Sequence, residues 1–523
     1  MSNPELDDER RSFSSRTPVN DNPDKVDYRR GFVTRHQVTG WRFVMRRIAS
    51  GVALHDTRML VDPLRTQTRA VMMGVLIGVT LLVGCFVFSL IRPNGSAANN
   101  AVLADRSTAA LYVRVGDRLH PVLNLTSARL IAGRPVNPTT VKSSELDKFP
   151  RGNLIGIPGA PERMVQNTAK DADWTVCDGV GGPATGVTVI AGPLETSGAR
   201  AALLPAGRAI LTANPTGTWL LWDGRRSRID LADRAVTGAL GFGAEVPKPR
   251  PIAAGLFNAI PEAPALTAPA IPEAGNPPAY GLSAPAPIGA VVVAYAADNS
   301  VLYYAVLPDG LQPISPVLAA VLRNANSYGL DQPPRLGADE VARLPVSRML
   351  DTDRYPHQRI SLVDAAHDPV TCVNWSKAAG AATNSLTLLS GSALPIPEAV
   401  HTGELVGAGT NGVATRVALA PGSGYFTQTV GQDAASPAAG SLFWISDTGV
   451  RYGIDNEATD STGRAKTVEA LGLTPPPTPI PWSVLSLFAP GPTLSRADAL
   501  LAHDGLAPDA KPGRTANAEL ETR

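Results

Sequence analysis

Along most of the chain, apolar residues come in short runs broken by Gly, Pro, Asp or Asn, and one stretch departs from that rhythm. Residues 70–91, AVMMGVLIGVTLLVGCFVFSLI, hold no charge, no Asn or Gln and no Pro over 22 positions. At about 1.5 Å per residue they make a helix of about 33 Å, enough to cross a hydrocarbon core of about 30 Å. The pattern predicts one membrane span. Upstream, Trp41, Val44, Ile48 and Val52 recur at spacings of three and four, with Arg42 and Arg46 on the other side. That period predicts an amphipathic basic helix, capped by Thr39 and closed before Pro63. Trp41, Phe43 and Met45 spread its apolar surface beyond a narrow stripe. The helix is therefore expected to dock into a cytoplasmic partner's groove through Trp41, Phe43, Val44 and Ile48. The competing reading is a helix lying on the anionic inner leaflet.

Downstream, four segments share one plan of apolar strand, tight turn and second strand: LYVRVGDRLHPV from Leu111, WLLWDGRRSRID from Trp219, LYYAVLPDGLQPI from Leu302 and FWISDTGVRYGID from Phe443. Each predicts a β-hairpin. The second and fourth agree further, since Gly224, Arg226, Ile229 and Asp230 match Gly449, Arg451, Ile454 and Asp455 in spacing, and each is followed by Ala-Leu-Gly and a Pro-rich stretch. In the first and third, Glu145, Leu146, Phe149 and Pro150 match Glu340, Val341, Leu344 and Pro345 at an offset of 195, and Cys177 matches Cys372 at the same offset. These agreements predict a tandem duplication. About eleven prolines between Pro247 and Pro287 are expected to form a semi-rigid extended joint.

The fold class expected is a single-span membrane protein with an α+β, β-rich exported domain. That domain has a duplicated pseudo-two-fold core and four small hairpin-containing repeat domains. The boundaries are 1–34 for a disordered N-terminus, 35–69 for the basic helix, 70–91 for the span and 92–108 for a linker. The exported domain takes 109–503, with repeats near 109–160, 215–262, 300–346 and 440–490, core halves near 161–214 and 347–439, and the joint at 247–287. A disordered tail at 504–523 closes the chain.

Charge sets the orientation. Arg42, Arg46, Arg47, Arg58, Arg65 and Arg69 crowd the N-terminal approach to the span, against Arg92 and Arg106 beyond it, so the N-terminus is placed in the cytoplasm and the large part outside. A cleaved leader ending near Ser96-Ala97-Ala98 competes, but it requires a short charged start and a shorter apolar run. A net charge of +1 offers no basic domain for nucleic acid. Of three cysteines, Cys85 falls in the span, whereas Cys177 and Cys372 fall in the exported part, where an oxidising compartment favours a disulfide. Equivalent residues of two copies touch only near their two-fold axis, so that bond would staple the core halves at the dyad. Two buried free thiols remain the alternative.

Candidate chemistry is sparse. The sequence has no GK dipeptide for a phosphate-cradling P-loop, no HExxH and no GxSxG. His120, His357, His367 and His401 stand singly, without metal spacing. Gly407, Gly409 and Gly412 form a GxGxxG, but the following VATRVAL has the pattern of a strand, where a dinucleotide loop requires a helix. No catalytic residue, cofactor or metal is assigned.

RHQVTGWRFVMRR before the span, ADRSTAALYVRVGDRLHPVLNLTSARLIAG and FPRGNLIGIPGAPERM after it, the two exported cysteines and the terminal GPTLSRADAL together resemble the EccB family. This is a membrane component of actinobacterial type VII (ESX) secretion systems. The likeness runs from about Arg35 to His503, and RRSFSSRTPVN most resembles the EccB of the ESX system tied to siderophore-dependent iron uptake. The resemblance implies a periplasmic core with four repeats and a disulfide, in a single-pass protein of the inner membrane. It implies EccC, EccD, EccE and a mycosin protease as partners, with self-association through the periplasmic domain and the lipid bilayer around the span. It also implies a structural role in the secretion complex. A membrane-anchored ATPase, a label some members carry, and a wall-binding module are the alternatives.

Overall fold

The computed structural model of the chain describes residues 34–55, 63–91, 97, 100–243, 246–410, 412–455, 466–503 and 505. The expected unstructured N-terminus up to residue 33, most of the tether before residue 100 and nearly all of the tail lie outside them. The chain forms two compact units, Met1–Pro93 and Asn94–Arg523.

The first unit holds two helices, α1 (Arg35–Leu54) and α2 (Pro63–Ile91). Helix α1 begins earlier than its apolar period suggests. Thr34 stands at the N-cap, and its backbone N–H donates to the Gln37 side chain at 3.0 Å, the return half of a capping box. Thr39, the cap expected from the period, is inside the helix and its hydroxyl donates to the Arg35 carbonyl at 2.6 Å. A left-handed His55 (φ 57°) ends the helix. Pro63 opens α2, where a missing N–H costs nothing. Residues 63–69 thus belong to the span helix and not to the basic helix, as the expected boundary had it. Within α2, Gln67–Phe88 is long and apolar enough to cross a membrane, and none of it is buried.

The second unit is built around a seven-stranded sheet. At its centre Ala172–Gly179 and Val370–Lys377 run antiparallel, with Cys177 opposite Cys372 and Trp174 opposite Trp375. These strands are buried along almost their whole length, so they show an apolar run instead of the alternation of a half-exposed strand. Their buried polar groups answer one another, as where the Asn374 amide donates to the Thr175 hydroxyl at 2.9 Å. Gly186–Ala191 flanks the first central strand and Ser385–Gly391 the second. Beyond them the halves exchange edges. Ala202–Leu203 adds to Ser385–Gly391, and Arg416–Ala418 adds to Gly186–Ala191.

All four expected hairpins are antiparallel strand pairs. In the second, Asp223 (φ 46°) and Gly224 (φ 71°) are both left-handed, the two-residue turn whose twist suits paired strands. A six-stranded and a five-stranded sheet share one five-strand plan, the sixth strand of the first being Ser361–Leu362 alongside Arg208–Asn214. Arg208–Asn214, Gly217–Trp222 and Arg225–Ile229 form a meander, with Arg250–Pro251 parallel to the first strand and Glu262–Leu266 parallel to the third. Tyr425–Val430, Leu442–Ile445 and Val450–Ile454 repeat it with Thr478–Pro481 and Ala489–Pro490 in the same places. Ala-Leu-Gly marks the same helix end in both. Gly241 and Gly472 have φ of 94° and 75°, and the next N–H reaches back from Phe242 to Thr237 and from Leu473 to Val468, as in a Schellman stop.

Two expectations change. The stretch 247–287 is not a plain extended joint, because residues 250–266 supply two strands and the helix Ala254–Ala259, with Leu256, Ile260 and Leu266 buried. Pro251 and Pro264 stand in the two edge strands of the sheet that holds Arg208–Asn214, where a missing N–H is tolerated. Packing also cuts across likeness. Leu130 of the first segment shares a core with Trp444 and Leu471 of the fourth, while Trp222 and Leu240 of the second share one with Val317 and Leu322 of the third.

Candidate functional site

The site predictions fall on two places, one in each unit. In the first unit, α1 carries its apolar side chains uncovered. Trp41 is 66% exposed, Phe43 54%, Val44 52% and Ile48 55%. Side chains of that size normally account for the buried interior of a soluble protein. Trp41, Val44, Met45, Ile48 and Val52 follow one face of the helix by their spacing, and Phe43 stands on the opposite, basic face, beside Arg46 and Arg47.

In the second unit, a disulfide joins Cys177 to Cys372 across the two central strands, over a sequence separation of 195. Directly beside it lies a buried ion pair that the sequence reading missed. Arg250 approaches Asp178 at 3.6 Å, with both side chains almost fully buried. The guanidinium also donates to the Asp178 carbonyl at 3.1 Å and to the Thr371 hydroxyl. Asp178 accepts in addition from the Ala253 N–H at 2.9 Å. Burial pushes the Asp178 carboxyl above its ordinary value, against the opposing pull of the Ala253 N–H and the Arg250 charge. Burial likewise pulls the Arg250 guanidinium below its ordinary value, with Asp178 opposing. The pair ties residues 250–253 to both central strands at the disulfide. The available signal was an Arg amid prolines, which marks a cation near structure but not its partner 72 residues away.

A second missed pattern explains the matched arginines. Arg226 lies over the Phe257 ring at 3.9 Å and donates to the Phe257 and Ile260 carbonyls. Arg451 lies over Trp482 at 5.2 Å and donates to the Leu485 carbonyl at 2.9 Å. In each sheet, then, the hairpin arginine holds the end of the short crossover helix and stacks on its aromatic residue. Burial lowers the affinity of both guanidinium groups for their protons.

The other sequence candidates do not converge. Gly407, Gly409 and Gly412 are all left-handed (φ 75°, 71° and 79°) in a loop between the strands Gly403–Glu404 and Arg416–Ala418. The element after the glycines is thus a strand, and among the described residues no helix begins at them. His120 lies 3.0 Å from the Asn153 carbonyl, and His367 pairs with Asp368 at 2.9 Å. Among the described residues no group of His, Cys, Asp and Glu is placed to hold a metal ion.

Comparison with known proteins places this architecture. The family model described as type VII secretion system ESX-1, transport TM domain B, matches residues 30–508. The chain is 74% identical over 528 residues to the ESX-3 secretion system ATPase EccB3 of Mycobacterium tuberculosis strain H37Rv, covering 98% of each. It is 69% identical over 510 residues to the ESX-3 secretion system ATPase EccB3 of Mycolicibacterium smegmatis, covering 97% of this chain and 98% of that one. Among solved structures, it is similar to the EccB3 dimer from the ESX-3 core complex, with 64% identity, 77% of this chain and 100% of that one covered, and a TM-score of 0.69. It is also similar to a chain of an intact ESX-5 inner membrane complex, with 37% identity, 94% and 100% covered, and a TM-score of 0.72. The chain belongs to the EccB family of type VII (ESX) secretion systems.

Proposed function

We propose that this chain is a structural subunit of an ESX-3-type secretion complex, anchored in the inner membrane and organising its periplasmic face. The observation that carries the reading is the end-to-end similarity, 98% of each chain, to the EccB3 of M. tuberculosis. In this reading α2 crosses the bilayer once. The arginines before the span hold the N-terminus in the cytoplasm, and the second unit is periplasmic. Helix α1 docks through Trp41, Phe43, Val44 and Ile48 onto the cytoplasmic base, for which EccC and EccD are the candidates. EccE and the mycosin protease are further partners, and copies of the chain pair through their periplasmic parts. The siderophore-linked iron supply of the cell depends on the assembled complex.

The second unit is a tandem duplication. Cys177 and Cys372 are equivalent by the offset and directly opposite in register, a coincidence that supports a pseudo-two-fold axis at that pair. The five-strand plan shared by the two outer sheets supports it too.

An ATPase reading rests on the names of the relatives. Native electrophoresis of membranes solubilised in mild detergent, from cells with and without this chain, decides between the two. The structural reading expects the large complex to fall to smaller species when the chain is missing. A complex of unchanged size, or ATP hydrolysis by the purified chain that a single substitution abolishes, would overturn it.

A further inference from the structure

We propose that a cavity between the edge of the central sheet and the second hairpin is a binding site for a small apolar carboxylate, with Arg208 as its anion partner. The cavity measures about 440 Å³, within the range of small-molecule sites of about 300–1,000 Å³. Its walls are mainly apolar and include Leu203, Leu204, Trp222, Ile360, Leu386 and Leu388. Such a lining takes up an alkyl or aryl body by the hydrophobic effect.

The wall carries one cationic side chain, Arg208, one carboxylate, Asp223, and the polar side chains of His357, Gln358 and Thr387. Arg208, at the start of the strand Arg208–Asn214, has its Nε shut off from solvent and without a hydrogen-bond partner. Among the described residues its guanidinium forms no ion pair. His357 and Gln358 stand beside it in the lining. Asp223 is the carboxylate among the lining residues, and it is engaged by Arg225 at 3.2 Å, which in turn lies over the Trp222 ring at 4.9 Å. A half-buried guanidinium without a protein acceptor, set beside an apolar wall, favours an anion over a neutral or cationic ligand. A planar fork with a single positive charge matches a carboxylate.

The walls are fixed by backbone contacts. The Leu204 N–H donates to the Leu388 carbonyl and the Ser361 N–H to the Gly207 carbonyl, both at 2.8 Å. At Gly224 the hairpin turn presses so close to the Leu386 carbonyl that a Cβ would stand 2.4 Å from its oxygen. A site framed in this way is formed before its ligand arrives, which limits the ordering that binding must impose.

The test is calorimetric titration of the full chain in lipid nanodiscs with 4-phenylbutyrate, and with 4-phenylbutanol as the uncharged match. The site predicts saturable binding of the acid, at least about tenfold tighter than that of the alcohol, and at least about tenfold weaker in Arg208→Gln. A second variant, Ala206→Trp, fills the cavity from its rim and should abolish binding while leaving the melting temperature in place, so a folding defect in Arg208→Gln does not hide the answer. Equal binding of acid and alcohol, equal binding by the wild type and both variants, or no binding of the acid at millimolar concentration would each overturn the proposal.

Discussion

The two units use the same apolar residue types to opposite ends. In the second unit Trp174 is 1% exposed, set edge-on against Tyr425 at 5.3 Å and Phe488 at 6.4 Å, with its indole N–H donating to the Pro479 carbonyl at 2.9 Å. In the first unit Trp41 is 66% exposed, and the whole apolar length of Gln67–Phe88 is uncovered. The second unit satisfies its own surface by folding. The helices of the first satisfy theirs only in a different medium, which in our reading is lipid for α2 and a partner for α1. Stability of the second unit and assembly of the complex should therefore respond to different substitutions.

The largest effect on stability is expected at Trp174. Truncation to Ala removes an aromatic anchor between the central sheet and the sheet of the fourth hairpin, and substitutions of this kind cost about 3–5 kcal/mol. Urea unfolding of the second unit should show it as a marked fall in midpoint, and an unchanged midpoint would mean that this core is not what holds the sheet. Next is the staple. Replacing Cys177 and Cys372 together by Ser should cost about 2–5 kcal/mol, near the upper end on the chain-entropy account because the link closes a separation of 195 residues. The same unfolding curve, taken with and without reductant on the wild type, checks the value independently. The smallest effect on this scale belongs to α1. Trp41→Ala should leave the unfolding of the second unit where it was, within about 0.5 kcal/mol, and a shift as large as that of Trp174→Ala would erase the distinction between the units.

Local signals were legible in the sequence to the extent that their cause is local. An uncharged run marks the apolar length of α2, and Gly116-Asp117, Asp223-Gly224, Asp309-Gly310 and Asp447-Thr448-Gly449 between apolar runs mark the turns, so α2 and the four hairpins were foreseen. The cap of α1 was misassigned because Thr34 and Thr39 are both competent caps, and the Gln37 side chain decides between them. The joint at 247–287 was misread because prolines at sheet edges and prolines in linkers look alike until a neighbouring strand is known. The packing of the first hairpin segment with the fourth, and of the second with the third, depends on side chains far apart in the chain. Nothing in the spacing announces it. The same holds for Arg250, whose partners Asp178 and Thr371 come from two other segments. The matched arginines 226 and 451 were visible as a pattern, and the structure supplies their cause in the crossover helices they hold.

The claim that the exposed face of α1 is an assembly surface is tested most directly by one measurement. Membranes carrying Trp41→Ala with Val44→Asp are solubilised in mild detergent, and the fraction of this chain that migrates with the large complex is compared with the wild type. The account predicts that the variant is made, inserted and folded, yet runs apart from the complex. Full retention of the variant in a complex of wild-type size would contradict it.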